Sequence, residues 1–240
     1  MLLCCCCIAR VLEPAEKPNT NIIACHSHSL KKLVFNGSSG HHNKSLNSLP
    51  DTISGLENVE EIVLDKCKVL EALPSGMGEL KRLTRLSLRE CKALTELPES
   101  IGDCHALVEL NLMKCASLAS LPMTLGKLLN LEDLCLAKCK SLSALPEEIS
   151  HCSKLAQLNI SDCKSLESIP GTFVDLKALR ELDCSGCLNL ISVPVAISVL
   201  PLLIVCDFTG CPELSEEFML QTDRFQRSRK RRATKTHDGT

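Results

Sequence analysis

The sequence predicts an α/β solenoid: a horseshoe of stacked coils, with a concave parallel β-sheet of about eight short strands and short helices on the convex side. Three observations carry that expectation. Cysteine recurs every 24 residues, at Cys67, Cys91, Cys115, Cys139, Cys163, Cys187 and Cys211. Proline keeps the same step, at Pro50, Pro74, Pro98, Pro122, Pro146, Pro170 and Pro194. Two residue types locked to one period mean coils that stack along an axis, not a globule around one centre. Third, the six full repeats that start at Val59, Leu83, Leu107, Leu131, Leu155 and Leu179 align into eight apolar columns. Every one of those positions is Leu, Ile, Val, Met, Phe or Cys, in a chain only 45% hydrophobic.

The repeat that starts at Leu83 shows how each element follows from its letters. Leu86 and Leu88 alternate with polar residues, the period of a short half-buried strand. After Cys91 the apolar spacing stretches to three, through Leu94 and Leu97, so the chain leaves the strand and turns. Pro98 then opens a short helical or 3₁₀ segment, where a missing N–H costs little. Gly78, Gly102 and Gly126 fall near the end of that segment, where the backbone is expected to turn back. The ladder cysteines are read as packing residues whose thiols donate to buried turn carbonyls. A disulfide or metal ladder is the alternative at that position, weakened because a packed column of seven would pair unevenly.

The array begins before its first regular repeat. Leu30, Leu33 and Phe35 fit a first strand, Leu46, Leu49 and Pro50 complete its coil, and five extra residues lie within Ser38 to Ser45. The expected division is a disordered leader (1–29), the repeat domain (30–214), a cap (215–223) and a basic disordered tail (224–240). The cap would use Leu214, Phe218, Met219 and Leu220 to cover the open end of the core. The tail holds seven Lys or Arg against Asp238, so the +6 tail and a −8 body sum to the net −2 of the chain.

Composition restricts the function classes. No apolar run approaches the ~20 residues of a membrane span. Membrane contact is expected only through S-acylation of Cys4, Cys5, Cys6 and Cys7. Seventeen cysteines, an odd number, suit a reducing cytoplasm better than secretion. The run Arg229-Lys230-Arg231-Arg232 offers a nuclear alternative. No cofactor or metal is expected: Cys25, His26 and His28 are too sparse for zinc, and no phosphate-loop motif occurs.

The spacing L-x-x-L-x-L-x-x-C-x-x-L is the leucine-rich-repeat pattern, with Cys where Asn is commoner. Leu97-Pro98-Glu99-Ser100-Ile101-Gly102, followed by Leu107-Val108-Glu109-Leu110-Asn111-Leu112 and Cys115, resembles the C-terminal repeats of plant intracellular nucleotide-binding disease-resistance (NB-LRR) proteins. The resemblance covers residues 30 to 214. It implies a non-catalytic protein-interaction module of the ligand-sensing or autoinhibitory kind; a free-standing intracellular signalling scaffold is the alternative.

Strand residues between the buried leucines point to the concave face. One column runs Lys32, Glu61, Arg85, Glu109, Asp133, Gln157, Glu181, Val205, and a second runs Val34, Val63, Ser87, Asn111, Cys135, Asn159, Asp183, Asp207. The candidate partner-binding residues are Glu61, Arg85, Glu109, Asp133, Gln157, Glu181, Asn111, Asn159, Asp183 and Asp207. Their acidity toward the C-terminus points to a basic protein partner, or to the chain's own tail, Arg224 to Lys235. No small-molecule substrate and no nucleic acid are expected. Enzyme chemistry would have to use Cys135 beside Asp133, and no His shares the concave columns.

Overall fold

A computed structural model describes residues 30–35, 46–216, 218 and 220. The expectations for the leader, the loop within Ser38 to Ser45 and the basic tail lie outside these residues. Eight strands of three residues form one parallel sheet in chain order: β1 (Lys32–Val34), β2 (Glu61–Val63), β3 (Arg85–Ser87), β4 (Glu109–Asn111), β5 (Asp133–Cys135), β6 (Gln157–Asn159), β7 (Glu181–Asp183) and β8 (Val205–Asp207). Leu86 faces Leu110, which faces Leu134, so each strand pairs with the residue one repeat later. Between β1 and β2 the step is longer, Leu33 facing Ile62, because the first coil carries its extra residues.

The middle residue of each strand points into the core, and the two flanking it point out. Every inward position of the six full repeats is buried except Val193, which is partly so. The core is therefore a column of leucine layers, not a centre, and each coil is stabilised by its neighbours.

Among the described residues the convex elements are seven five-residue 3₁₀ turns, from Asp51–Gly55 to Val195–Val199. One helical turn is all that fits before the next inward leucine is due. Each proline stands immediately before its turn, with φ between −73° and −55° and an extended ψ, so it sets the entry direction.

The glycines do something other than turn the chain. A Cβ on Gly78 would lie 2.6 Å from the carbonyl oxygen of Ser100 in the next coil. Gly102 and Gly126 meet the carbonyls of Thr124 and Glu148 more tightly still. Glycine suits these three positions because stacked backbones touch there and a Cβ would force a shift. Ser150, Val174 and Ser198 continue this column. After Val174 the turn Val195–Val199 parts from Gly171–Asp175, although the earlier pairs of turns stay stacked.

The thiols act as read from sequence. Cys91, Cys115, Cys139, Cys163, Cys187 and Cys211 donate to carbonyls one coil back, those of Leu64, Leu88, Leu112, Leu136, Ile160 and Cys184, at 3.1–3.2 Å. Cys104 and Cys152, two coils apart in a column otherwise held by leucine, donate in the same way to Met77 and Leu125. Burial pushes the Cys115 and Cys163 thiols up to about 12, so they stay neutral donors.

The residue before each ladder cysteine is left-handed. Lys66, Glu90, Lys114, Lys138 and Asp162 have φ of 57–65°, and Gly186 and Gly210 follow at 72° and 75°. The conformation aims the N–H at the next coil: Lys114 donates to Ala137 and Lys138 to Ser161.

At the C-terminal end the ring of Phe218 stands edge-on to Phe208, centroids 5.2 Å apart, while Leu220 is exposed. Among the described residues no helix is long and apolar enough to cross a membrane.

Candidate functional site

All ten candidate residues lie on the outward positions of β2 to β8, and parallel pairing lines them into two columns one strand spacing apart. Charge divides these columns into two stretches.

The N-terminal stretch is paired. Lys32 reaches Glu61 at 2.7 Å, Arg85 touches Glu61 at 3.9 Å, and Arg85 holds Glu109 at 3.1 Å. Each is a partly exposed pair worth roughly 0–1 kcal/mol. Together they neutralise the surface from β1 to β4.

The C-terminal stretch is not. Asp133 sits directly beside Glu109, and burial first, then Glu109, pushes its carboxyl up from the ordinary range. A shallow cleft of about 370 Å³ opens over β4 to β8. Asn111, Asp133, Gln157, Asn159, Glu181, Asp183 and Asp207 line it, with Cys135 and Val205. Glu61, Arg85 and Glu109 lie outside it, within the ion-pair chain. Among the described residues no Lys or Arg forms an ion pair with Asp133, Glu181, Asp183 or Asp207.

Four of the candidate residues have a second task that the sequence reading passed over. Asn111 Oδ1 accepts from the Met113 N–H, and Asp207 Oδ1 from the Thr209 N–H. Asn159 and Asp183 each accept both the N–H and the hydroxyl of the serine two residues on, Ser161 and Ser185. These contacts close the turn after the strand, as short Asn and Asp side chains do. The signal was present: an Asn or Asp ends the strand, with Ser or Thr two places later in three of the four. Each of these contacts uses Oδ1 alone. After β3, where Ser87 stands in place of the Asn or Asp, Asp65 does this work from the preceding coil, accepting from Ser87 Oγ and the Arg89 N–H.

Flanking lysines are partly committed as well. Lys114 pairs with Glu90 at 3.0 Å, which holds the Glu90 carboxyl below its usual value, and Lys138 lies 3.7 Å from Asp162.

Cys135 is half-buried, and its thiol is raised by burial before any charge acts on it. A nucleophilic cysteine needs the opposite shift. Cys184 and Cys187 have the C-x-x-C spacing, which the sequence reading also overlooked. Both are buried. Burial lifts the Cys184 thiol well above its ordinary range, and hydrogen bonding with Cys211, then burial, lifts Cys187. No group of three His, Cys, Asp or Glu among the described residues is placed to hold a metal ion. What the face offers is a comb of carboxylates and amides.

Comparison with known proteins gives a family model described as a leucine-rich repeat region, matching residues 2–209. No curated protein matches. Among solved structures, the leucine-rich repeat domain of the type III effector XopL superposes with a TM-score of 0.57 at 22% identity, covering 89% of this chain and 83% of that one. Internalin C2 from Listeria monocytogenes gives 0.50 at 16%, covering 73% and 76%. A Leptospira interrogans leucine-rich-repeat protein is 25% identical, with a TM-score of 0.47; 87% of this chain matches, spanning 62% of that protein's length. These likenesses concern the fold.

Proposed function

We propose that this chain, which belongs to the leucine-rich repeat region family, is a protein-interaction module that takes a basic segment of a protein partner in the cleft over β4 to β8. The observation that carries the reading is the set of four acids, Asp133, Glu181, Asp183 and Asp207, that share one cleft and that no Lys or Arg among the described residues pairs. Adjacent like charges on a sheet are destabilising. Turn closure accounts for Asp183 and Asp207 but not for Asp133 and Glu181, and a partner's Lys or Arg would offset the repulsion among all four on binding. With no Trp or Tyr in the chain to anchor a hot spot, charge and shape are the terms left to supply affinity.

Within that reading the module serves as the sensing or autoinhibitory repeat unit of an intracellular plant immune receptor, acting in the cytoplasm. The Leu-Pro-Glu-Ser-Ile-Gly wording at Leu97 to Gly102 supports this over the scaffold alternative. The chain's own basic residues, Arg224 to Lys235, are a candidate occupant of the same cleft in the resting state. S-acylation of Cys4 to Cys7 would add a membrane anchor.

Two experiments separate these claims. Titrating isotopically labelled protein with a peptide of residues 224–235 should shift backbone amides of β5 to β8 and leave β1 to β3 unmoved. Shifts spread evenly over the sheet would overturn the cleft assignment. Sequencing the full transcript addresses the receptor reading: an adjoining phosphate-loop domain supports it, and a transcript without one favours the scaffold.

A further inference from the structure

The loop that follows each strand carries a second charged surface, on the flank of the solenoid and outside the concave cleft. Lys66, Lys114 and Lys138 stand immediately before a ladder cysteine. Lys68, Lys92, Lys140 and Lys164 stand immediately after one, and Arg89 adds a cation two places before Cys91. These eight are nearly half of the 17 Lys and Arg among the described residues, gathered on one flank of a chain whose net charge is negative. All are exposed except Lys114, which is partly so. The Lys66 N–H donates to Arg89 and the Lys114 N–H to Ala137, so the loops stack at the strand spacing and the five coils from Cys67 to Cys163 form a ridge ~19 Å long. Glu90 lies among these cations: Lys114 first, then Lys66 and Lys92, hold its carboxyl below the usual value.

Ion pairing within the chain accounts for two of the eight. Lys114 holds Glu90 at 3.0 Å and Lys138 lies 3.7 Å from Asp162, while Asp65 is taken up by Ser87 and the Arg89 N–H. Lys66, Lys68, Arg89, Lys92, Lys140 and Lys164 form no ion pair among the described residues. Backbone conformation does not ask for lysine either. Lys66, Lys114 and Lys138 are left-handed, with φ of 64–65°, where glycine would sit without strain. Gly186 and Gly210 do hold that position in the last two coils, and there Leu188 and Pro212 replace the lysine after the cysteine. The easier backbone residue therefore returns where the ridge ends. Along the ridge, Lys68 lies beside Lys92 and Lys140 beside Lys164, and an anion laid across such neighbours offsets their repulsion.

The longer undescribed stretches of the chain do not supply that anion. Residues 1–29 hold two Lys or Arg and two Glu, residues 36–45 hold Lys44 and no acid, and residues 221–240 hold seven Lys or Arg against Asp223 and Asp238. The ridge is also narrow. Exposed Glu71, Glu96 and Glu167 follow a few residues after the lysines, toward the convex side. A bilayer or a nucleic-acid duplex is broad enough to meet those carboxylates too, whereas a single extended chain is not. Single-stranded nucleic acid is held by stacking on aromatic rings; the ridge has none, and Phe35, Phe173 and Phe208 are buried. An extended polypeptide fits, with about six residues spanning the ridge.

We propose that the ridge from Lys66 to Lys164 docks an extended, Asp- and Glu-rich segment of another protein, laid along the solenoid axis. The inference does not use the concave cleft and does not depend on its occupant.

Fluorescence anisotropy tests it, with the full chain in reductant and a labelled peptide of about ten glutamates, long enough to span the ridge. Salt is held at ~0.05 M, where exposed charges are screened least. Two variants each remove four lysines and leave the basic tail intact. One is Lys68→Gln/Lys92→Gln/Lys140→Gln/Lys164→Gln, on the ridge; the other is Lys81→Gln/Lys127→Gln/Lys154→Gln/Lys177→Gln, away from it. The ridge variant should bind at least ~10-fold more weakly, and the other should stay within ~2-fold of wild type. Should the ridge variant melt early, Lys140→Gln/Lys164→Gln must still lose ~3-fold. No binding by the wild type, or losses that do not differ between the two variants, would overturn the proposal. Phosphatidylserine vesicles or a single-stranded oligonucleotide, bound more tightly than the peptide and released by the same ridge substitutions, would overturn it too, by assigning the ridge to another class of partner.

Discussion

The two stretches of the concave sheet share one backbone and arrange charge in opposite ways. From β1 to β4 the first outward position alternates, Lys32, Glu61, Arg85, Glu109, and ion pairs of 2.7, 3.9 and 3.1 Å join it into a neutral strip. From β5 to β8 the same position reads Asp133, Gln157, Glu181, Val205, and Asp183 and Asp207 add to the acid beside it. The turns change in the same direction: charged residues hold the left-handed positions as far as Asp162, and Gly186 and Gly210 hold the last two. Stacking constrains the inward columns and the glycine contacts, and turn closure holds Asn111, Asn159, Asp183 and Asp207. The first outward position carries neither constraint, and there Asp133 and Glu181 depart from the alternation that pairs β1 to β4.

The largest effect should come from breaking the frame that both stretches share. Leu136 is fully buried one place beyond β5. Leu136→Asp should cost several kcal/mol, because it buries an uncompensated charge, and should melt neighbouring coils with it. Cys139→Asn should cost about 1 kcal/mol or less, since the amide can donate to the Leu112 carbonyl that the thiol now serves. Thermal melts compare the two directly; equal melting temperatures would contradict the register.

A smaller effect should make the stretches alike. Arg85→Ala removes the one cation that holds both Glu61 and Glu109. Stability should fall by less than ~1 kcal/mol, as expected for exposed pairs. A basic peptide should then associate a few-fold faster at low salt, because the acid surface now extends over β2 to β4. An unchanged association rate would show that the paired stretch does not matter to steering.

The smallest effect concerns Asp133. Its folded-state carboxyl is raised, chiefly by burial, so the folded protein holds this proton more tightly than the unfolded chain does. Its contribution therefore favours folding at low pH and is lost as pH rises through the raised value. Asp133→Asn should raise the melting temperature slightly at pH 7, and the gain should vanish below pH ~3.9, the unfolded value. A gain that persists at acid pH would point to packing instead of charge.

Much of the fold was legible because the period is strict. Leu86, Leu88 and Cys91 fix a strand and its exit, and 24-residue spacing fixes which residues become neighbours across the sheet. Less legible was anything set by contact between coils. The role of Gly102 looks like a turn in sequence and is a close approach to Thr124 in space. Asn159 reads as a free surface amide and is half occupied by Ser161. The alternation of Lys32, Glu61, Arg85 and Glu109 predicts attraction between neighbours and a break where Glu109 meets Asp133, and the ion pairs follow it. The concave columns were legible to the residue; the turn contacts that occupy part of them were not.

The central claim is that the cleft over β4 to β8, and not the paired stretch beside it, receives a basic segment. Its most direct test is the affinity of a peptide of residues 224–235 for two variants that each remove two acids. Asp133→Asn/Asp183→Asn keeps the turn contact of Asp183 through the amide oxygen, and Glu61→Gln/Glu109→Gln makes the same change in net charge on the other stretch. At ~0.15 M salt the first should lose about tenfold in affinity, near 1.4 kcal/mol, mostly through slower association, and the second less than threefold. Equal losses, or a larger loss from the Glu61 and Glu109 pair, would contradict the account.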